Sequence, residues 1–180
     1  MRREILLAGT GGQGLVLAGL ILGEAALRSG HYVSMSQSHA VSARGGLSTS
    51  EVIIDDEEVI YPKVTAPDIM LLMSQGAAER YGGHLSPGGT MILDSTEVNG
   101  DIQVEGKVVK VPITQLARER AGVVAANMVA LGVLGAVTGV VSKDDLTEAL
   151  RAHAPRGSEE LNMKALALGW EEGERRAKPT

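Results

Sequence analysis

The feature that most constrains the fold is a glycine-rich segment between an apolar strand and an apolar helix near the start of the chain. Residues 4–8 are predicted to form a buried strand, and residues 13–29 a helix that ends before Gly30. Residues 9–14 between them read GTGGQG, which fits the G-x-G-x-x-G spacing of dinucleotide-binding loops. Glycines in such a loop allow a tight turn and let backbone N–H groups approach an anion. The chain is therefore predicted to open with the strand–loop–helix unit of an α/β fold.

The rest of the chain alternates strands with helices. Further strands are predicted at residues 31–36, 47–54, 59–61, 69–73, 90–93 and 107–111. Helices are predicted at residues 77–81 and 121–141, after the capping box that begins at Ser142, and after Ser158. This alternation predicts one domain over residues 1–180, a Rossmann-like three-layer α/β fold with a mostly parallel sheet and a helical C-terminal third.

Residues able to do catalysis or bind metal are sparse. The acidic residues 55–58 are predicted to be the solvated tip of a hairpin, and Asp94 is predicted to shape a turn. The four histidines form no ligand cluster, so no metal site is predicted. No nucleophile lies beside a base, and we predict no catalytic residue on this chain.

Composition excludes several functional classes. The chain has no cysteine, so it holds neither a disulfide nor a cysteine-ligated iron–sulfur cluster. Its net charge of -5 and its 2% aromatic content argue against nucleic-acid binding. Residues 121–141 carry no charge but include Asn127 and four glycines, which favours a buried helix over a membrane span. We expect a cytoplasmic protein that does not bind membranes.

The glycine-rich loop allows more than one interpretation. A nicotinamide-dinucleotide site needs Asp or Glu at the end of the second strand, where this chain reads VSMSQ at residues 33–37. The loop could still bind NAD(P) or FAD in a freestanding module, contact another phosphate, or only pack a helix on the sheet. Nearby, Arg44 precedes two glycines, so its guanidinium could reach a carboxylate or phosphate, or be merely solvated.

Two helical segments are apolar on all sides. They are the first turns of the helix at residues 13–29 and the whole segment 121–141. Such helices are either buried within one domain or face a partner chain. Two cases in one small protein favour a partner, which could be another subunit or a second copy of the chain.

Taken in order, these motifs resemble the gamma subunit, or gamma domain, of the 2-oxoacid:ferredoxin oxidoreductases. The motifs that carry the resemblance are Gly11-Gly12-Gln13-Gly14, Arg44-Gly45-Gly46-Leu47-Ser48, Ile60-Tyr61-Pro62, Pro67-Asp68, Val111-Pro112, Leu116-Ala117, Ala126-Asn127-Met128-Val129 and Leu131-Gly132, followed by Asn162, Ala165 and Gly169. The resemblance covers nearly the whole chain.

The resemblance implies a division of labour within a larger enzyme. Members of this family decarboxylate a 2-oxoacid oxidatively with coenzyme A, giving an acyl-CoA, CO₂ and reduced ferredoxin. Alpha- and beta-type subunits hold thiamine diphosphate, and cysteine-rich parts, including delta-type subunits, hold iron–sulfur clusters. The gamma part completes the assembly, helps to enclose the substrate side or the CoA side of the site, and is inactive alone. Apart from the resemblance, the apolar helices leave open a second hypothesis, in which the isolated chain self-associates as a dimer.

The resemblance also implies a set of site residues. The candidates for contact with the cofactor are Gly11, Gly12, Gln13, Gly14, Arg44, Gly45, Gly46 and Asn127. Whether they contact CoA or only shape an interface stays open. Many family members that use 2-oxoglutarate or related acids read Tyr-Gly-x-Glu-x before Arg-Gly-Gly, where this chain reads HAVSA at residues 39–43. The sequence therefore leaves four substrates open: pyruvate, 2-oxoglutarate, a branched-chain 2-oxoacid or an aryl 2-oxoacid.

Overall fold

The computed structural model describes residues 1–39 and 46–178, and within them six strands form one sheet. The strands are β1 (Arg2–Thr10), β2 (Tyr32–His39), β3 (Leu47–Asp55), β4 (Ile69–Leu72), β5 (Thr90–Asp94) and β6 (Lys107–Val111). Their spatial order is β2-β3-β1-β4-β5-β6. Strands β1, β4, β5 and β6 are parallel to one another, whereas β3 is antiparallel to both β1 and β2. The mostly parallel sheet is confirmed.

Six α-helices accompany the sheet in the described part of the chain. They are α1 (Leu15–Arg28), α2 (Gln75–Tyr81), α3 (Ile113–Arg120), α4 (Ala126–Thr138), α5 (Lys143–His153) and α6 (Glu159–Ala177). Short 3-10 turns follow α2 and precede α4. The last three helices make up the helical C-terminal third that the sequence predicts.

The two faces of the sheet are covered unequally. Along β1, Ile5 and Leu7 point into a large core with α1, α4, α5 and α6, because successive side chains of a strand alternate between faces. Leu6 and Ala8 point into a smaller core beneath α2. The three-layer architecture is confirmed, with most of the apolar burial on the α1 side.

The sequence predicts a single helix over residues 121–141. The structure instead has a turn followed by α4. Gly122, at φ +146°, separates α3 from the 3-10 turn, and Gly139, at φ +64°, ends α4. The burial of α4 is confirmed: a Cβ at Gly132 would lie 2.3 Å from the Leu166 carbonyl oxygen on α6. The glycines of α4 therefore serve contacts within the chain. No helix among the described residues is long and apolar enough to cross a bilayer.

The prediction of a hairpin tip at residues 55–58 is wrong. Strand β3 ends at Asp55, and residues 59–61 form no strand. Pro62 cannot donate to a strand ladder, and Ile60 is 92% exposed, so the segment lacks both the hydrogen bonds and the burial of a strand. The hairpin is instead formed by β2 and β3.

Candidate functional site

The glycine-rich loop lies at the carboxyl end of β1, between that strand and α1. Gly12 and Gly14 adopt φ of +89° and +73°, in the left-handed region that favours glycine. These two residues delay the start of α1 to Leu15, two residues later than the sequence predicts. Gly11, Gly12 and Gly14 are exposed, so the backbone of the loop faces outward.

The side chain of Gln13 fixes the loop to the neighbouring strand. Its Oε1 accepts from the Thr10 amide at 2.8 Å, and its Nε2 donates to the Met73 carbonyl at 3.0 Å, just beyond β4. A Cβ at Gly9 would lie 2.1 Å from the same Oε1, so Gly9 makes room for this bridge. Both polar groups of the Gln13 side chain have partners within the chain, so this side chain holds the loop in position against the strand.

Asn127 secures the loop from the opposite side. It is buried in the first turn of α4, where its Oδ1 accepts from the Met128 amide at 3.0 Å. Its Nδ2 donates to the Gly14 carbonyl at 3.0 Å. The start of α4 therefore packs on the glycine-rich loop, as the resemblance implies.

The second glycine segment also reaches the loop. The Gly11 amide donates to the Gly46 carbonyl at 3.1 Å. Gly46 directly precedes β3, whose first residue, Leu47, pairs with Thr10 at the end of β1. Of the predicted site, the structure thus brings together the loop, Gly46 and Asn127. Arg44 and Gly45 lie outside the described residues.

A pocket of about 380 Å³ opens beside the loop. It is lined by Gly12, Gln13, Met73, Glu97, Thr114, Val123, Val124 and Ala126. This is the edge at which β1 and β4 end, the usual ligand position in open α/β sheets. Val124 is 77% exposed there. The sequence analysis did not predict that Val123 and Val124 line the pocket. Two adjacent β-branched residues directly after the helix-breaking Gly122 could have indicated an exposed apolar turn at this position.

The first turn of α1 has the electrostatics of an anion-binding helix start. No side chain among the described residues caps it, and its first turn contains no acid. The unpaired N–H groups and the dipole of a helix leave a partial positive charge at this end. With Gly12 and Gly14 giving close access to the backbone, this arrangement can receive a phosphate group.

The sheet order argues against a dinucleotide site. In a Rossmann fold, the strand next to β1 is parallel to it and ends in the acid that binds the ribose. Here that neighbour is β3, which is antiparallel, so Asp55 lies at the opposite edge, paired in register with Arg2. Strand β2 is one position further out and ends at His39. Neither strand therefore has a carboxylate at the edge of the sheet where β1 ends and the glycine-rich loop begins.

Asp94 has the structural role that the sequence predicts. It is fully buried at the end of β5 and accepts from the Thr96 amide at 3.1 Å. It also accepts from the amide and hydroxyl of Thr114 near the start of α3. These hydrogen bonds join β5 to α3 and leave Asp94 without a catalytic partner among the described residues.

The residues of this chain do not fit the metal-dependent cofactors of the enzyme that the resemblance implies. Iron–sulfur clusters need cysteine thiolates, and the sequence has none. Within residues 1–39 and 46–178, no group of three His, Asp or Glu side chains is placed to hold a metal ion.

Comparison with known proteins gives consistent matches along the chain. The family described as Pyruvate ferredoxin/flavodoxin oxidoreductase matches residues 4–172. The chain is 45% identical over 179 residues to the 2-oxoglutarate synthase subunit KorC of Methanothermobacter marburgensis, covering 95% of this chain and 96% of that subunit.

Solved structures agree with this assignment. The gamma subunit of a keto/oxoacid ferredoxin oxidoreductase from Geobacter sulfurreducens superimposes with a TM-score of 0.84 at 38% identity, over 95% of this chain and 98% of that one. The 2-oxoglutarate:ferredoxin oxidoreductase of Magnetococcus marinus, solved with 2-oxoglutarate, coenzyme A and succinyl-CoA, shares the fold. Its TM-score is 0.86 at 22% identity, over 99% of this chain and 32% of that one. The chain therefore belongs to the pyruvate ferredoxin/flavodoxin oxidoreductase family, as a gamma-type subunit of a 2-oxoacid:ferredoxin oxidoreductase.

Proposed function

We propose that this chain is the gamma-type subunit of an enzyme that converts 2-oxoglutarate and CoA to succinyl-CoA and CO₂, with reduction of ferredoxin. The choice of 2-oxoglutarate is supported by the KorC relative, which is 45% identical over nearly its whole length and is a subunit of a 2-oxoglutarate synthase. Residues 1–180 form one gamma-type domain, which acts in the cytoplasm.

Within that enzyme, the chain contributes the CoA side of the site and does no chemistry alone. The observation that carries this role is the glycine-rich loop, which Gln13 and Asn127 hold at an open pocket with the start of α1 beneath it. Coenzyme A presents a pyrophosphate and a 3′-phosphate, and both suit backbone N–H groups at a helix start.

Arg44 adds the positive charge that the loop itself lacks. It stands two residues before Gly46 in the sequence. Because the Gly46 carbonyl accepts from the Gly11 amide, an arginine this near Gly46 in the sequence is the expected partner of the anionic group that the loop receives.

The remaining cofactors belong to partner subunits. Alpha- and beta-type subunits would hold thiamine diphosphate, which supplies the decarboxylation chemistry. A cysteine-rich delta-type subunit would carry the iron–sulfur clusters that pass electrons to ferredoxin. The lack of cysteine in this chain supports that division.

The test is anaerobic affinity purification of the tagged chain from its native host, followed by mass spectrometry and a panel of 2-oxoacids. We expect thiamine- and iron–sulfur-bearing chains in a fixed ratio, and CoA-dependent ferredoxin reduction with 2-oxoglutarate as the preferred substrate. The chain alone should show no turnover. Recovery of the chain without partners, or micromolar binding of NAD(H), NADP(H) or FAD to it, would contradict the proposal.

A further inference from the structure

The two edge strands of the sheet are protected differently. Strand β6 carries Lys107 and Lys110, and Arg176 from α6 donates to the Lys110 carbonyl at 3.2 Å, so this edge is charged and partly covered. Strand β2 is eight residues long and contains no proline, lysine, arginine or acid. Within residues 1–39 and 46–178, no strand pairs with its outer side. Proteins normally protect an exposed strand of this kind, because its unpaired N–H and C=O groups invite another strand.

An apolar strip lies directly beside this open strand. At 100° per residue, Val16, Leu20 and Leu27 fall within about 40° of arc on one side of α1. Leu20 is 39% exposed and Leu27 is 53% exposed. The neighbouring arc of the helix contains Gly23, whose added Cβ would lie 2.7 Å from the sulfur of Met35 on β2. We call strand β2 together with Val16, Leu20, Leu27 and Met35 the β2 edge.

We propose that the β2 edge pairs with the same edge of a second copy of this chain about a two-fold axis, giving a continuous twelve-stranded sheet. If the axis passes beside Met35, that residue opposes Met35 of the second copy, and Ser34 opposes Ser36 of the second copy. Because β2 carries no charged carboxylate, lysine or arginine, the antiparallel pairing brings no like charges together.

The same axis also brings the two α1 helices into contact. Helix α1 packs on both β2 and β3, so its axis lies about 5 Å from the two-fold axis when strands are about 4.8 Å apart. The two helices are then about 10 Å apart, a normal distance for packed helices. Leu20 lies three residues before Gly23, and Leu27 lies four residues after it. Leu20 of one copy therefore opposes Leu27 of the second copy across the axis. A single two-fold axis therefore allows both the pairing of the two β2 strands and the packing of the two α1 helices.

The first test is sedimentation velocity of the full chain across micromolar concentrations. We expect a dimer, and we expect Leu20→Lys combined with Leu27→Lys to be monomeric with an unchanged circular dichroism spectrum. Ile60→Lys is the matched control, because Ile60 is equally apolar and 92% exposed but lies outside the β2 edge. A monomeric wild-type chain, or a double variant that stays dimeric, would overturn the proposal and leave the subunit proposal untouched.

The second test locates the two-fold axis along strand β2. The chain has no cysteine, so Met35→Cys introduces a single thiol. Directly opposed residues of antiparallel strands have Cα atoms about 4.5–5.5 Å apart, which a disulfide can span. Mild oxidation should therefore link Met35→Cys into a covalent dimer far faster than Ile60→Cys. Equal rates for the two variants would contradict the proposed axis.

Discussion

The side-chain amide of Asn127 occupies the space that a Cβ at position 14 would need, and it donates to the Gly14 carbonyl at 3.0 Å. This contact joins the start of α4 to the loop before α1, across 113 residues of sequence. It makes the shape of the loop depend on the C-terminal third of the chain. A glycine at position 14 is therefore required both by its backbone angle and by its neighbour.

We predict that Gly14→Ala will be more destabilising than Gly12→Ala. Both positions have positive φ, which costs an L-residue about 1–2 kcal/mol. A Cβ at position 14 would in addition lie 2.4 Å from the Asn127 Nδ2, whereas nothing lies within 4 Å of one at position 12. Urea unfolding should show a loss of about 1–2 kcal/mol for Gly12→Ala and a larger loss for Gly14→Ala. Equal losses of unfolding free energy in the two variants would mean that the contact with Asn127 does not contribute to stability.

We predict that Gln13→Glu will loosen the loop. The substitution keeps an acceptor for the Thr10 amide but removes the donor to the Met73 carbonyl and sets a carboxylate against it. The free energy of unfolding should fall by about 1–3 kcal/mol. Gln103→Glu, at an exposed position, makes the same chemical change and should stay within about 0.5 kcal/mol of wild type. A neutral Gln13→Glu would contradict the positioning role of Gln13.

We predict that the close packing of α4 on α6 is intolerant of a single methyl group. A Cβ at Gly169 would lie 1.9 Å from the Val129 carbonyl oxygen, which is backbone and cannot move aside. Gly169→Ala should cost about 3 kcal/mol or more. Gly23→Ala is the matched control, because there the obstacle is the flexible end of Met35 and alanine favours the helix by about 1 kcal/mol. Thermal unfolding of both variants would distinguish them, and a near-neutral Gly169→Ala would refute the packing argument.

Glu4 should make the fold acid-sensitive. Burial raises the pKa of Glu4, but hydrogen bonds from the Ala66 and Thr65 amides and from Arg2 outweigh this effect and hold the pKa below its usual 4.5. A carboxyl whose pKa is lowered by folding stabilises the protein above its unfolded pKa, and this contribution is lost as the pH falls through the folded value.

Denaturant unfolding across the acidic range would measure that contribution. The free energy of unfolding of wild type should begin to fall near the usual pKa of 4.5 and keep falling below it, more steeply than in Glu4→Gln. Glu58→Gln, at an exposed position, should follow the wild-type profile. Parallel profiles for Glu4→Gln and wild type would show that Glu4 contributes nothing to acid stability.

The sequence predicted the local structure better than the strand order. The Ser142 cap is confirmed, because its Oγ accepts from the Asp145 amide at 3.0 Å, three residues away. The insertion of β3 between β1 and β2 depends on pairing between distant strands, which periodicity does not encode. The fixed role of Gln13 was missed for the same reason: its partner, Met73, is 60 residues later. The family resemblance, in contrast, grouped Asn127 and Gly46 with the glycine-rich loop, although no distance between these residues could be derived from the sequence.

The most direct measurement is the KM for CoA of the reconstituted enzyme carrying Arg44→Ala. The loss of a charge-assisted contact to a phosphate should raise this KM about 10-fold or more, with the 2-oxoglutarate KM and the subunit ratio unchanged. Arg44→Lys should recover part of the loss, and Arg156→Ala, at an exposed position between α5 and α6, should have no effect. An unchanged KM for CoA in a fully assembled Arg44→Ala enzyme would contradict the account that this chain supplies the CoA side of the site.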